Sequence, residues 1–231
     1  METPTRPRTK PEQREATTRR LIDVARTLFA RDGYARIGTE EIVQQAGVTR
    51  GALYHHFRSK DALFAAVLDD VQREIAQRVA AAAGLETDPW DQLRAGSHAF
   101  LEAALDPAIQ QIALIDGPAV LGWEAWRQSD ARHSFRLLQS ALAALAAAGE
   151  IDVASPEATA HLLSGAMNEA ALWVARSDPI APALAAALGG LDQLLDGLRA
   201  AEAPASRLPP SASGDPPPAS VNPPATPPKS D

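Results

Sequence analysis

From Glu12 to Arg31 apolar residues recur at the spacing of one helix face, with Leu21, Val24, Ala25, Leu28 and Phe29 on one side and polar residues between them. The pattern predicts a helix, and Gly33 follows where a left-handed cap commonly ends one. Thr39 then offers an N-cap oxygen to a short second helix whose first turn carries Glu40 and Glu41, favourable at the positive end of the dipole, and Gly47 ends it. Thr49 repeats the N-cap role for a third helix, in which Leu53 and Phe57 lie one turn apart and face inward. Ser59 starts a long fourth helix through Leu63, Phe64, Val67 and Leu68 toward Ala83.

Beyond it, helical runs are predicted near 89–105, 107–116, 122–149, 156–177 and 180–201. The separators "GLETDP", "DGPAVLG", "GEIDVASP" and "RSDP" each hold a Pro or Gly with a mechanical reason to stop a helix. After Ala203, 10 of the last 28 residues are proline, mixed with Ser and Ala. Such a stretch cannot bury enough surface to offset its ordering entropy, so 204–231 is predicted to be a disordered tail. Residues 1–11, rich in Pro, Arg and Thr and without periodicity, read as a flexible basic arm. The expected organisation is therefore the arm, a three-helix head over 12–58, a helical body over 59–203, and the tail.

Composition agrees with an all-α chain: of 231 residues 45% are hydrophobic, enough for a real core, and alternating β-branched runs are nearly absent. The absence of cysteine excludes disulfides, thiolate zinc sites and cysteine nucleophiles. Neither an uninterrupted apolar run of about 18 residues nor the apolar block of a secretory signal is present, so a cytoplasmic protein without a membrane partner is expected. The net charge of −7 is unevenly spread. Residues 1–60 hold 12 Lys+Arg against 7 Asp+Glu, an excess of +5, which leaves 10 against 22 and an excess of −12 for the remainder. A basic head facing a polyanion, joined to an acidic body that does not, is the physical reading.

Two short helices joined by a tight turn at Gly47 and packed on a preceding helix make a helix-turn-helix, whose turn needs a residue that tolerates positive φ. The second of the pair would enter the DNA groove, presenting Thr49, Arg50, Gly51, Ala52, Tyr54 and His55, with Leu53 and Phe57 as anchors. Gly51 lets a groove wall or phosphate come close to the backbone. Arg50 suits a base edge or a phosphate, and the Tyr54 hydroxyl suits a phosphate. Thr39, Thr49 and Lys60 sit at helix starts, where donors point at an anion. The neighbouring His55 and His56 cannot serve one metal from a helix, because successive residues point about 100° apart. No metal and no cofactor are expected.

The stretch "GTEEIVQQAGVTRGALYHHFRSKDALF" resembles the DNA-binding signature of TetR-family transcriptional regulators, and the likeness covers roughly Glu12 to Phe64. It implies an all-helical homodimer, with N-terminal helix-turn-helix domains on an operator of double-stranded DNA and a C-terminal body that dimerises and usually holds a small-molecule effector whose binding releases DNA. By that resemblance the DNA-contacting residues are Arg14, Thr39, Thr49, Arg50, Gly51, Tyr54, His55 and Lys60, with His56 left as packing. The segment "DGPAVLGWEAWR" resembles one found in some members, whereas the proline-rich tail departs from the usual pattern.

In the body, helix 122–149 is expected to carry a stripe of Trp123, Trp126, Asp130, His133 and Leu137. Asp130 and His133 are polar groups on an otherwise apolar face and need partners if buried, whether from a ligand or from one another. Helix 156–177 places His161, Gly165, Asn168 and Leu172 on one face beside Met167, to line either a pocket or a dimer seam. Phe100, Ile112, Trp126, Asp130, His133, Met167 and Asn168 are the candidate ligand-binding residues, suited to a small, largely apolar effector. Helices 156–177 and 180–201 are alanine- and leucine-rich enough to form a four-helix seam with a second copy.

Two other classes compete with a ligand-responsive repressor. An architectural or protein-interaction factor would use the same head without an effector. An enzyme is disfavoured, since G-x-S-x-G, G-x-x-x-x-G-K-[ST] and H-E-x-x-H are all missing and an Asp-His pair alone lacks a nucleophile.

Overall fold

The computed structural model describes residues 9–200. Residues 1–8 of the expected arm and the whole expected tail, 204–231, lie outside the described residues. Helix α1 spans Lys10–Asp32 and starts two residues earlier than the apolar pattern suggests. The reason is a reciprocal cap: the Glu12 backbone N–H donates to Thr9 Oγ1 at 3.5 Å, and the Thr9 N–H donates to Glu12 Oε2 at 2.6 Å.

A single 3-10 turn, Tyr34–Arg36, leads to α2 (Thr39–Ala46) and α3 (Arg50–His56). Gly47 joins them at φ +63°, ψ +35°, a left-handed conformation that costs glycine nothing. Thr39 does not cap α2. Gly38 holds that position without a side-chain bond, and the Thr39 hydroxyl turns to Glu40 Oε2 at 3.3 Å. Thr49 and Ser59 do cap, accepting from the N–H groups of Ala52 at 3.1 Å and Ala62 at 3.0 Å.

Helix α4 (Lys60–Ala83) belongs to both halves of the fold. Its Leu63, Phe64, Val67, Leu68 and Val71 close the core that Leu21, Leu28, Phe29, Ile42 and Leu53 begin. The core of the head therefore continues into the long helix that carries the body.

The body adds α5 (Pro89–Ala103), the short α6 (Pro107–Ile109) running into a π-helical turn over Gln110–Asp116, α7 (Gly117–Leu121), α8 (Trp123–Ala131), α9 (Ser134–Ala148), α10 (Pro156–Ala175) and α11 (Ile180–Asp196). Its own core is built from Leu93, Leu101, Leu142, Leu145, Leu163, Met167 and Leu191. The end of α11 is tied back through Asp152 N–H to Leu198 O at 2.9 Å and Ala200 N–H to Glu150 O at 3.0 Å.

The expected single helix over 122–149 is two. It breaks at Arg132 and His133, where His133 takes φ −120°, ψ −111°. No Gly or Pro marks the site. His133 Nε2 lies 2.9 Å from Asp69 Oδ1 of α4, so a tertiary contact holds the bend. The stripe read as one face is thereby divided, with Trp126 and Asp130 buried on α8, Trp123 67% exposed, and His133 at the corner.

Candidate nucleic-acid interface and body cavities

Leu53 is fully buried and fixes α3 against the head, which turns Thr49, Arg50, Gly51, Tyr54 and His55 outward as an exposed row. Arg50 Nη1 donates to Glu40 Oε1 of α2 at 2.9 Å, and its guanidinium lies 5.6 Å from the Tyr54 ring centroid. Both partners of that ion pair are well exposed, so it contributes little and an outside anion or acceptor could replace Glu40 at small cost. Arg14 is exposed on α1.

His55 and His56 diverge, as successive helical residues must, with rings 5.6 Å apart at 82°. His55 faces solvent, while His56 turns toward α1 and its Nδ1 meets Thr18 Oγ1 at 2.9 Å. The Thr18 hydroxyl already donates to Arg14 O at 3.0 Å, so His56 Nδ1 is the donor in that contact. Burial, then the charges of His55 and Arg14, hold the His56 imidazole below its ordinary value.

Lys60 departs from the expected outward pose. Its Nζ donates to Tyr34 O at 2.7 Å and rests 3.8 Å from the Tyr34 ring centroid. Burial pushes the ammonium below its usual range, against the opposing charges of Asp61 and Asp116. The same Tyr34 packs in an aromatic group with Phe29 and Phe64, at centroid separations of 5.5 and 5.1 Å. Burial raises its phenol well above normal, reinforced by the hydrogen bond it donates to Asp61.

Two sets of polar contacts couple this head to the body, and a third ties the corner between α8 and α9 to α4. Arg19 and Arg26 of α1 meet the nearly buried Asp70 of α4 at 2.6 and 3.3 Å, and Arg26 also pairs with Glu74. The Tyr34 backbone N–H donates to Asp116 at the end of the π-helical turn, at 2.8 Å. Asp69 takes His133 together with Arg73 at 2.6 Å and Arg132 at 3.5 Å. Burial alone would raise the Asp69 carboxyl, but the His133 hydrogen bond and the charges of His133, Arg73 and Arg132 bring it below its ordinary value.

Two cavities lie in the body. The smaller, of about 200 Å³, lies between α4, α5, α9 and α10, with Phe100, Phe135, Leu138 and Met167 in its apolar wall and Asp130 and Ser134 among its polar groups. The other, of about 640 Å³, is lined by Trp123, Trp126, Arg127, His161 and Asn168. The candidate set is thus divided. Phe100, Asp130 and Met167 reach the first cavity, and Trp126 and Asn168 reach the second. Ile112 is wholly buried in the core shared with the head, and His133 is held by Asp69. Arg127, Ser134, Phe135 and Ser164 also face these cavities and were not singled out by the sequence pattern.

Comparison with known proteins places this geometry. A profile described as "Bacterial regulatory proteins, tetR family" matches residues 21–67, and one described as "Tetracyclin repressor-like, C-terminal domain" matches residues 90–198. The crystal structure of a TetR-family transcriptional regulator from Pectobacterium atrosepticum is 36% identical, covering 83% of this chain and 98% of that one, with a TM-score of 0.70. The chain belongs to the TetR family of transcriptional regulators.

Curated relatives of this TetR-family chain include the HTH-type transcriptional repressor Rv1474c of Mycobacterium tuberculosis, 40% identical over 80 residues, 35% of this chain and 41% of that protein. The HTH-type transcriptional regulator AcrR of Shigella flexneri is 39% identical over 70 residues, 30% of this chain and 32% of that protein. The chain therefore matches less than half the length of either curated relative. Relatives named as repressors and regulators support a regulator over an enzyme. Among the described residues no helix is long and apolar enough to cross a membrane.

Proposed function

We propose that the protein is a cytoplasmic repressor that binds a palindromic operator as a homodimer and is released when a small, largely apolar molecule occupies the body. The observation that carries the reading is the exposed row on α3, Arg50, Gly51, Tyr54 and His55, held rigidly by Leu53 beside the solvent-facing Thr49 cap. Arg50 reads a base edge or grips a phosphate, while Thr39, Thr49, Tyr54, His55 and Arg14 position the head on the backbone. Lys60 contributes to phosphate binding once it leaves Tyr34.

Support for a second copy comes from α10 and α11, where Leu162, Trp173, Ile180 and Leu194 are apolar and between 45% and 75% exposed. Two heads on one dimer would meet two half-sites one helical turn apart. The effector reading rests on the two cavities and on the polar contacts that join their surroundings to α4 and the head. An effector acts only by favouring one head spacing over the other.

Selection of tight binders from a random duplex pool, followed by light scattering of the complex, tests both parts. A palindromic consensus bound by two chains is expected. An asymmetric consensus bound by one chain would contradict the homodimer.

A further inference from the structure

The effector cavity has a chemical bias that narrows what can enter it. Asp130 is 3% exposed and sits at the end of α8, where it lines the smaller cavity. Two acceptor positions of its carboxylate are used: Arg127 Nη1 donates to Oδ2 at 2.8 Å and the Ser134 hydroxyl donates to Oδ1 at 3.2 Å. A carboxylate offers roughly four such positions, so capacity remains toward the cavity. Of the other hydroxyls nearby, Ser97 donates to Leu93 O at 2.8 Å and Ser164 accepts from Arg127 at 3.2 Å.

Charge and size decide the rest. Arg127, which lines the neighbouring larger cavity, pairs with Asp130 at 2.8 Å, so the pair carries no net charge; a ligand anion would be repelled by the Asp130 carboxylate that faces the cavity, and a ligand cation would find that charge already offset. Either would also be stripped of water against Leu93, Phe100, Phe135, Leu138 and Met167. An uncharged group with one donor escapes both costs. Burial raises the Asp130 carboxyl even though the charge of Arg127, the Ser134 hydrogen bond and the charge of His133 act to lower it. The volume of about 200 Å³ compares with about 150 Å³ for a dry cavity that admits benzene.

We propose that the smaller cavity binds a small uncharged molecule, one ring in size, whose single hydroxyl donates to the Asp130 carboxylate. The inference rests on the effector-responsive reading of the body. It assigns recognition to Asp130, supported by Ser134 and Arg127, and shape selection to Phe100, Phe135 and Met167. Asp130 lies one turn from His133, whose ring holds Asp69 on α4, so occupancy is felt at the joint between body and head.

Calorimetric titration of the full chain with 4-methylphenol, toluene, benzylamine and 4-methylbenzoate tests the assignment. 4-Methylphenol is expected to bind about tenfold tighter than toluene, as one charge-assisted hydrogen bond supplies, and tighter than either charged probe. Asp130→Asn should shrink the advantage of 4-methylphenol over toluene to about threefold or less, because an amide oxygen accepts more weakly than a carboxylate. Toluene binding as tightly as 4-methylphenol, a charged probe binding tightest, no probe binding at millimolar concentration, or an unchanged ratio in the variant would each overturn it. If the variant does not fold, the ranking of the four probes on the unmodified chain decides alone. Operator release by 4-methylphenol is measured separately: binding without release contradicts the effector-responsive reading while the cavity assignment stands.

Discussion

His133 Nε2 stands 2.9 Å from Asp69 Oδ1, and that contact fixes the corner between α8 and α9 against the middle of α4. The Asp69 carboxyl is held below its ordinary value by His133, Arg73 and Arg132 in spite of burial. A carboxyl with a depressed folded-state value contributes stability that is present above its unfolded value, near pH 4, and lost as pH falls through the folded one. His133→Ala should therefore cost about 1–2 kcal/mol at pH 7 and flatten the loss of stability below about pH 4. Urea unfolding across that pH range checks it, and an unchanged acid limb would show that Arg73 and Arg132 hold Asp69 without His133.

Gly117 begins α7 under the Trp126 ring. A Cβ there would lie 2.8 Å from Trp126 Cδ1 and 3.1 Å from Ile112 O, while Trp126 Nε1 is anchored to Ala113 O at 2.7 Å. Gly117→Ala should destabilise by about 1–3 kcal/mol through overpacking. Denaturant midpoints give the value, and a neutral result would mean that the indole moves freely at this site.

On the proposed function, Glu40 would compete with DNA for Arg50, to which it is paired at 2.9 Å. Glu40→Gln should strengthen binding to every duplex by a few-fold and leave stability within about 0.5 kcal/mol, since exposed pairs contribute little. Titration of specific and random duplexes by anisotropy reads both effects. Weaker binding in the variant would mean that Glu40 orients Arg50 for recognition.

The head was legible because its signals are local. Gly47 needs a left-handed turn, Thr49 and Ser59 cap with their own hydroxyls, and Leu53 and Phe64 fall on the buried face of helical patterns. Thr39 misled because a threonine before two glutamates is as good a cap in sequence as the neighbouring Gly38 is in space. The break at His133 was invisible, since its cause is Asp69, 64 residues away. The cavity was only partly legible for the same reason. Asp130 stands out as a charge on an apolar face, but that Arg127, Ser134 and Ser164 gather around it depends on how α8, α9 and α10 cross.

The central claim is that α3 reads operator DNA through Arg50 while the basic head neutralises phosphates. Its most direct test is the affinity of the full chain and of Arg50→Ala for a selected palindromic duplex and a random one, across a salt series. Log affinity should fall linearly with log salt for both duplexes as counterions are released, and Arg50→Ala should lose about 1–3 kcal/mol of discrimination between them. Salt-independent affinity, or a variant that still separates the two duplexes as well as the unmodified chain, would contradict the account.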